Sequence, residues 1–137
     1  MLYPIKILGM LGIGCLISVL ICCKDKILLT KSVADNVPHL YKVLSVAAWH
    51  QSQQGTTLKT GVIDADFIHL ATAEQLDRVL TKFWGNEAEY FVIEVDPKKF
   101  TGRLVLESNP GGETKYYHLY NGSIPLSSVI DVKRVLK

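Results

Sequence analysis

Hydrophobic and polar positions alternate most cleanly along Phe67-Ile68-His69-Leu70-Ala71. At a period of two, Phe67, His69 and Ala71 point one way and Ile68 and Leu70 the other, which predicts a short strand. Thr72 follows, with Gln75 three positions on, the pattern of a capping box at a helix start. The helix it opens, over residues 73–84, repeats apolar residues at Leu76, Val79, Leu80 and Phe83, and Gly85-Asn86 closes it. The pattern thus delivers a histidine to the end of a strand just before a helix whose unpaired N–H groups suit an anion or a ligand oxygen.

Around this stretch the chain reads as follows. Tyr41–Leu44 is a first strand, and Ser45 caps a short helix from Val46 to about Gln53 with Val46 and Trp49 on one face. Residues 56–66, with Gly61, Asp64 and Asp66, read as mostly loop. Tyr90–Val95 is a strand with Phe91, Ile93 and Val95 toward the core, ended by Asp96-Pro97. Arg103–Glu107 and Tyr116–Tyr120 are further strands, separated by the loop Asn109-Pro110-Gly111-Gly112. A helical turn at Leu126–Val129 leads into a last strand, Ile130–Leu136, whose alternation is imperfect. Two early helices followed by strands without long helices between them predict an α+β fold rather than a doubly wound sheet.

The beginning of the chain has a different texture. Residues 7–23 carry no charge and lie between Lys6 and Lys24. A run of this length is at the short end of a membrane-spanning helix and also suits a secretory signal. Cys22 and Cys23 after Leu20-Ile21 admit a third reading, an acylated lipoprotein cysteine. The expected organisation is a hydrophobic signal or anchor at 1–23, a polar tether at 24–38 and one domain at 39–137. The protein is then membrane-anchored through residues 7–23, or secreted; it is cytoplasmic if the true start lies downstream.

Charge and cysteine count narrow the function. Residues 38–137 carry eleven basic and eleven acidic side chains, so the net charge of +2 belongs to the preceding segment. A neutral domain without a basic stripe has no footprint for a nucleic-acid backbone. All three cysteines, Cys15, Cys22 and Cys23, precede the domain. That removes disulfide frameworks, cysteine-based zinc sites and a thiol nucleophile from the folded part.

The remaining candidate chemistry centres on His69 and His118, each followed by leucine and flanked by aromatic residues. Either histidine alone is more simply a core residue bonded to a backbone carbonyl; the pair together points to a ligand site. Two histidines with Asp64, Asp66 or Glu107 are also a conceivable metal set, but their spacing matches no short motif, and no metal is expected. Asn109-Pro110-Gly111-Gly112 lacks the Gly-Lys-Ser/Thr and the helix of a phosphate loop, and no Gly-x-Ser-x-Gly elbow exists. A cleft for a nucleotide-like ligand fits better. Imidazoles bond ribose or phosphate oxygens, Trp49, Tyr116 and Tyr120 offer stacking faces, and Glu107 would stabilise cationic charge on a sugar carbon.

Tyr41-Lys42-Val43 with Trp49, the run Phe67 to Gln75, Val95-Asp96-Pro97, Leu106-Glu107 and His118-Leu119-Tyr120 resemble, in order, the bacterial domain of unknown function 952 family. The resemblance covers about residues 40–136. It implies a small two-sheet fold similar to that of ADP-ribosyltransferases, with a nucleotide cleft between the sheets. The resemblance implies no known activity; on the reading of the residues themselves, His69, His118 and Glu107 are the catalytic candidates and Tyr41, Thr72, Gln75 and Tyr120 the ligand-binding ones. NAD would be a substrate rather than a resident cofactor. The chain departs from the family pattern at Ala65-Asp66, where Asp-Gly is usual, at Ala71, where Ser is usual, and at Leu106 and Tyr117. These departures support an alternative, a catalytically inactive nucleotide-binding or structural module tethered at the membrane. Oligomeric state has no sequence signature.

Overall fold

A computed structural model describes residues 36–137, and the compact unit runs from Val37 to Lys137. The signal, anchor and lipoprotein readings fall on residues outside the described ones. Among the described residues no helix is long and apolar enough to cross a membrane.

The fold is α+β, with two helices and two three-stranded antiparallel sheets. Strand β1 (Leu40–Ser45) leads directly into helix α1 (Val46–Ser52). Ser45 makes that transition by accepting the Ala48 N–H on its hydroxyl at 3.2 Å. Strand β2 (Ile68–Leu70) leads into helix α2 (Ala73–Phe83) through the capping box of Thr72 and Gln75. Strands β3 (Glu89–Val95), β4 (Arg103–Ser108), β5 (Lys115–Tyr120) and β6 (Val129–Leu136) complete the chain. One sheet has the order β1-β3-β6 and the other β2-β5-β4. An isolated bridge joins their edges: the Tyr41 N–H donates to the Ala71 carbonyl at 2.8 Å and the Ala71 N–H to the Tyr41 carbonyl at 3.0 Å.

Alternation along the strands builds the core. Leu40 and Leu44 from β1, Ile68 and Leu70 from β2, Phe91, Ile93 and Val95 from β3, and Leu119 from β5 form one buried cluster. Helix α1 packs on it through Val46, Ala48 and Trp49, whose ring lies 5.7 Å from that of Phe91. The opposite face of the first sheet presents Val43, Tyr90 and Val92, which α2 covers with Leu76, Val79 and Leu80. This amphipathic covering is the burial that the helical period of α2 predicts.

Three expectations change. Phe83 continues the apolar repeat of α2 yet is 55% exposed and lies outside the cluster that Leu76, Val79 and Leu80 cover. The segment read as mostly loop holds a 3-10 turn, Val62–Asp64, that turns Asp64 inward while Val62 and Ile63 face solvent. The imperfect alternation of β6 has a structural cause, a register shift against β3 between Glu94 and Val95. Where β4 begins and β5 ends, the chain comes so close to itself that only glycine fits: a Cβ on Gly122 would lie 2.0 Å from the Thr101 carbonyl oxygen. Gly102 beside it has a φ of +86°, and a Cβ there would meet the Tyr120 carbonyl at 2.5 Å.

Candidate functional site

Strands β2 and β5 pair with His69 directly opposite His118, and β5 pairs with β4 so that Val105 lies opposite His118. Directly opposed residues project to the same face of a sheet. Both imidazoles therefore leave the core face, which takes Ile68, Leu70 and Leu119, and meet on the outer one. Their ring centroids are 5.1 Å apart in an edge-to-face arrangement.

His69 is held by a buried ion pair. The Lys42 ammonium donates to Asp64 Oδ2 at 2.7 Å, with side-chain exposures of 8% and 1%. The other oxygen, Asp64 Oδ1, accepts the His69 backbone N–H at 3.0 Å and lies 3.1 Å from His69 Nδ1. Lys42 also donates to the His69 carbonyl at 3.2 Å. Both polar ends of one residue are thus clamped by one Lys–Asp pair. A carboxylate only accepts, so Nδ1 carries the proton and Nε2 of the neutral ring is left as a bare base. Burial pushes the Lys42 ammonium below the ordinary lysine range, and the charge of Asp64 beside it opposes that shift.

His118 has a second carboxylate. Its Nδ1 lies 3.0 Å from Glu107 Oε1, and the same oxygen accepts a hydrogen bond from the Tyr120 hydroxyl. The Tyr120 hydroxyl, then His118, hold Glu107 below the usual carboxylate range, and the bond to Glu107 raises the Tyr120 phenol. His118 itself is 1% exposed. Phe67 stacks on it with centroids 4.2 Å apart and planes at 30°, and touches the rings of His69 at 4.8 Å and Tyr120 at 5.1 Å. Among the described residues, His118 Nε2 is a buried side-chain atom without a hydrogen-bond partner.

A cleft of about 440 Å³ opens along β1, the edge of β2 and the end of α2. Tyr41, Val43, Val79, Phe83, Trp84 and Tyr116 give it aromatic and aliphatic walls; Lys42, Asp64 and His69 form its polar end. Ile63, 73% exposed, stands at its rim. Burial raises the phenol of Tyr41 above the ordinary tyrosine value, with Glu94 adding to the effect.

Of the residues singled out from sequence, Tyr41 and His69 line this cleft, while His118, Glu107 and Tyr120 form the neighbouring cluster on the same sheet. Thr72 and Gln75 do not line it, and two of the N–H groups at the start of α2, those of Thr72 and Gln75, are already bonded. Gln75 Oε1 accepts the Thr72 N–H at 3.1 Å, the Gln75 N–H donates to the Thr72 carbonyl at 3.1 Å, and Gln75 Nε2 donates to the Lys115 carbonyl at 2.6 Å. Trp49 packs in the core instead of offering a stacking face. Among the described residues no group of three or more His, Cys, Asp or Glu is arranged to hold a metal ion. The sequence reading missed the role of Lys42 and grouped Asp64 with the histidines only as a conceivable metal set. A lysine between Leu40 and Leu44 on the inward face of a strand was the available signal.

A family model described as "Protein of unknown function (DUF952)" matches residues 43–132. The chain is similar to protein CC0527 from Caulobacter crescentus. Its crystal structure is 25% identical, with a TM-score of 0.62, over 71% of this chain and 85% of that one. Its solution NMR structure is 28% identical, with a TM-score of 0.59, over 69% and 82%. A comparison with curated proteins gives no match.

Proposed function

The chain belongs to the DUF952 family, and from that premise we propose that its domain is an ADP-ribosyltransferase-like enzyme whose cleft takes NAD or a nucleotide-like ligand. His69 is the proton-transfer residue of this reading. The observation that carries it is the Lys42–Asp64 clamp, which orients His69 with Nδ1 protonated at the polar end of an otherwise apolar cleft. A base oriented by a carboxylate and set beside a hydrophobic slot is an arrangement suited to general acid–base work, an effect of about 10²–10⁴ in rate. The cleft volume lies within the range of small-ligand sites. A planar ring would lie among Tyr41, Trp84 and Tyr116, with hydroxyl or phosphate oxygens toward His69.

The test is calorimetric titration and product analysis with NAD, on the wild type and on His69→Ala. The reading expects saturable binding and turnover that falls at least about a hundredfold in the variant. Undiminished turnover removes His69 from the mechanism. A second reading, a binding module without catalysis, draws on the position of Glu107: its Oε1 is bonded to His118 and Tyr120, and it is not among the cleft walls. Saturable binding with no product favours that reading.

A further inference from the structure

We infer that the cleft takes an uncharged planar ring, such as a base with its sugar, and holds no phosphate, because the cation in its wall is already neutralised there. The inference rests on the reading that this cleft is the ligand site, and it decides which part of a nucleotide enters. Among the described residues, two charged side chains line the cleft, Lys42 and Asp64. They meet at 2.7 Å and are 8% and 1% exposed, so a ligand faces the pair and not a free ammonium. Two of the three Lys42 N–H groups go to Asp64 Oδ2 and the His69 carbonyl. Asp64 Oδ1 takes the His69 backbone N–H and lies against Nδ1. The polar end thus offers a visitor single hydrogen bonds and no net charge. A phosphate drawn into it would lose its water and gain no counter-charge, which is strongly unfavourable. A hydroxyl is satisfied there by one bond. Of the oxygens that could face His69, the hydroxyl is the one accommodated.

The other walls point the same way. Val43, Val79, Trp84 and Tyr116 give faces for a flat ring. The mouth is apolar as well: Ile63 and Phe83 line it and are 73% and 55% exposed. Large apolar side chains left so open gain by covering a ring and offer nothing to an ion. Along the β1 wall the field opposes anions. Burial first, then the carboxylates of Glu94, Asp131 and Glu74, raise the Tyr41 phenol. What discourages a phenolate at that wall discourages any other anion beside it. The volume of about 440 Å³ suits a small ligand of this kind. The diphosphate of a dinucleotide would then remain outside the cleft, in solvent.

The test is calorimetric titration of the full chain with adenosine and with adenosine monophosphate at about pH 8, where the phosphate is fully ionised. Adenosine should bind, and the monophosphate should bind no more tightly. Raising the salt concentration about tenfold should not weaken the monophosphate, since it makes no cation contact to be screened. Phe83→Ala, at an exposed position that leaves the fold in place, should weaken adenosine about fivefold by removing part of its apolar cover. A monophosphate that binds more tightly than adenosine, or that weakens steeply with salt, overturns the inference and leaves the cleft a nucleotide site. Adenosine affinity unchanged by Phe83→Ala also overturns it, because the ring then lies elsewhere. Binding of neither probe overturns the inference together with the cleft reading beneath it.

Discussion

The Lys42–Asp64 pair makes a sharp energetic prediction. Both side chains are almost fully buried, at 8% and 1% exposure, and they meet at 2.7 Å. Lys42→Met leaves the Asp64 carboxylate in the interior with only its two His69 bonds. Asp64→Asn leaves an ammonium facing a neutral amide, and it turns either the amide NH₂ toward the His69 N–H or the amide oxygen away from Lys42. Stranding one buried charge costs about 3–5 kcal/mol. A domain of this size has about 5–15 kcal/mol in total, so each single variant should lose roughly a fifth or more of its stability. The midpoint of thermal unfolding should fall by roughly 15–30 °C.

The double variant Lys42→Met/Asp64→Asn buries no charge. It should be less destabilised than the sum of the singles by at least about 1.5 kcal/mol. Urea unfolding followed by tryptophan fluorescence reads this directly, because Trp49 packs on Phe91 and Trp84 on Tyr90, one in each apolar cluster. A double variant whose loss equals the sum, or a single variant that loses under about 1 kcal/mol, refutes the argument. The pH dependence supplies a second check. The folded Lys42 has a pKa below its ordinary value. Between the two values the unfolded chain binds more protons, and stability rises with pH. Asp64→Asn removes the opposing charge and widens that window, so the variant should be closer to wild type in mildly alkaline buffer than at neutrality.

Three further outcomes are expected. Gly122→Ala, which drives a methyl into the Thr101 carbonyl, should cost at least about 2 kcal/mol, whereas Gly111→Ala, with open space around it and a φ of +77°, should cost only about 1 kcal/mol by urea unfolding. Glu107 has its folded pKa lowered, chiefly by Tyr120, so its stabilisation is present above the ordinary glutamate value and is lost as pH falls through the folded one. Glu107→Gln should therefore flatten the acid limb of the stability profile while leaving its alkaline side in place. Gln75→Ala removes both the return bond to Thr72 and the tie to Lys115, and should cost about 1–2 kcal/mol by the same assay.

Much of this was legible because it is local. The alternation through Phe67–Ala71 fixed which face His69 takes, and the same alternation in Tyr116–Tyr120 placed His118 on a matching face. Thr72 and Gln75 announced the helix start through their spacing. What lay out of reach depended on partners distant in the chain. Nothing near Lys42 says that its ammonium meets Asp64 across a loop. Nor does anything near His118 say that Phe67 closes over it, which is why an open two-histidine cleft was expected where the two rings differ in access. Gln75 was read as an offering to a ligand, but Lys115, distant in sequence and brought close by β5, takes that amide instead.

The isolated bridge between Tyr41 and Ala71 has a mechanical consequence. Two hydrogen bonds are the rung on which one sheet leans against the other, and Tyr41, Ala71 and His69 are all cleft walls. A fastening so short opens at a smaller cost than a full strand pairing, while the shared core of Leu40, Leu44, Ile68, Leu70 and Leu119 keeps the two sheets together. An occupant wedged in the cleft would prise the rung or brace it. The amides of Tyr41 and Ala71, through their exchange with solvent deuterium, are thus a built-in gauge of whether the slot is filled.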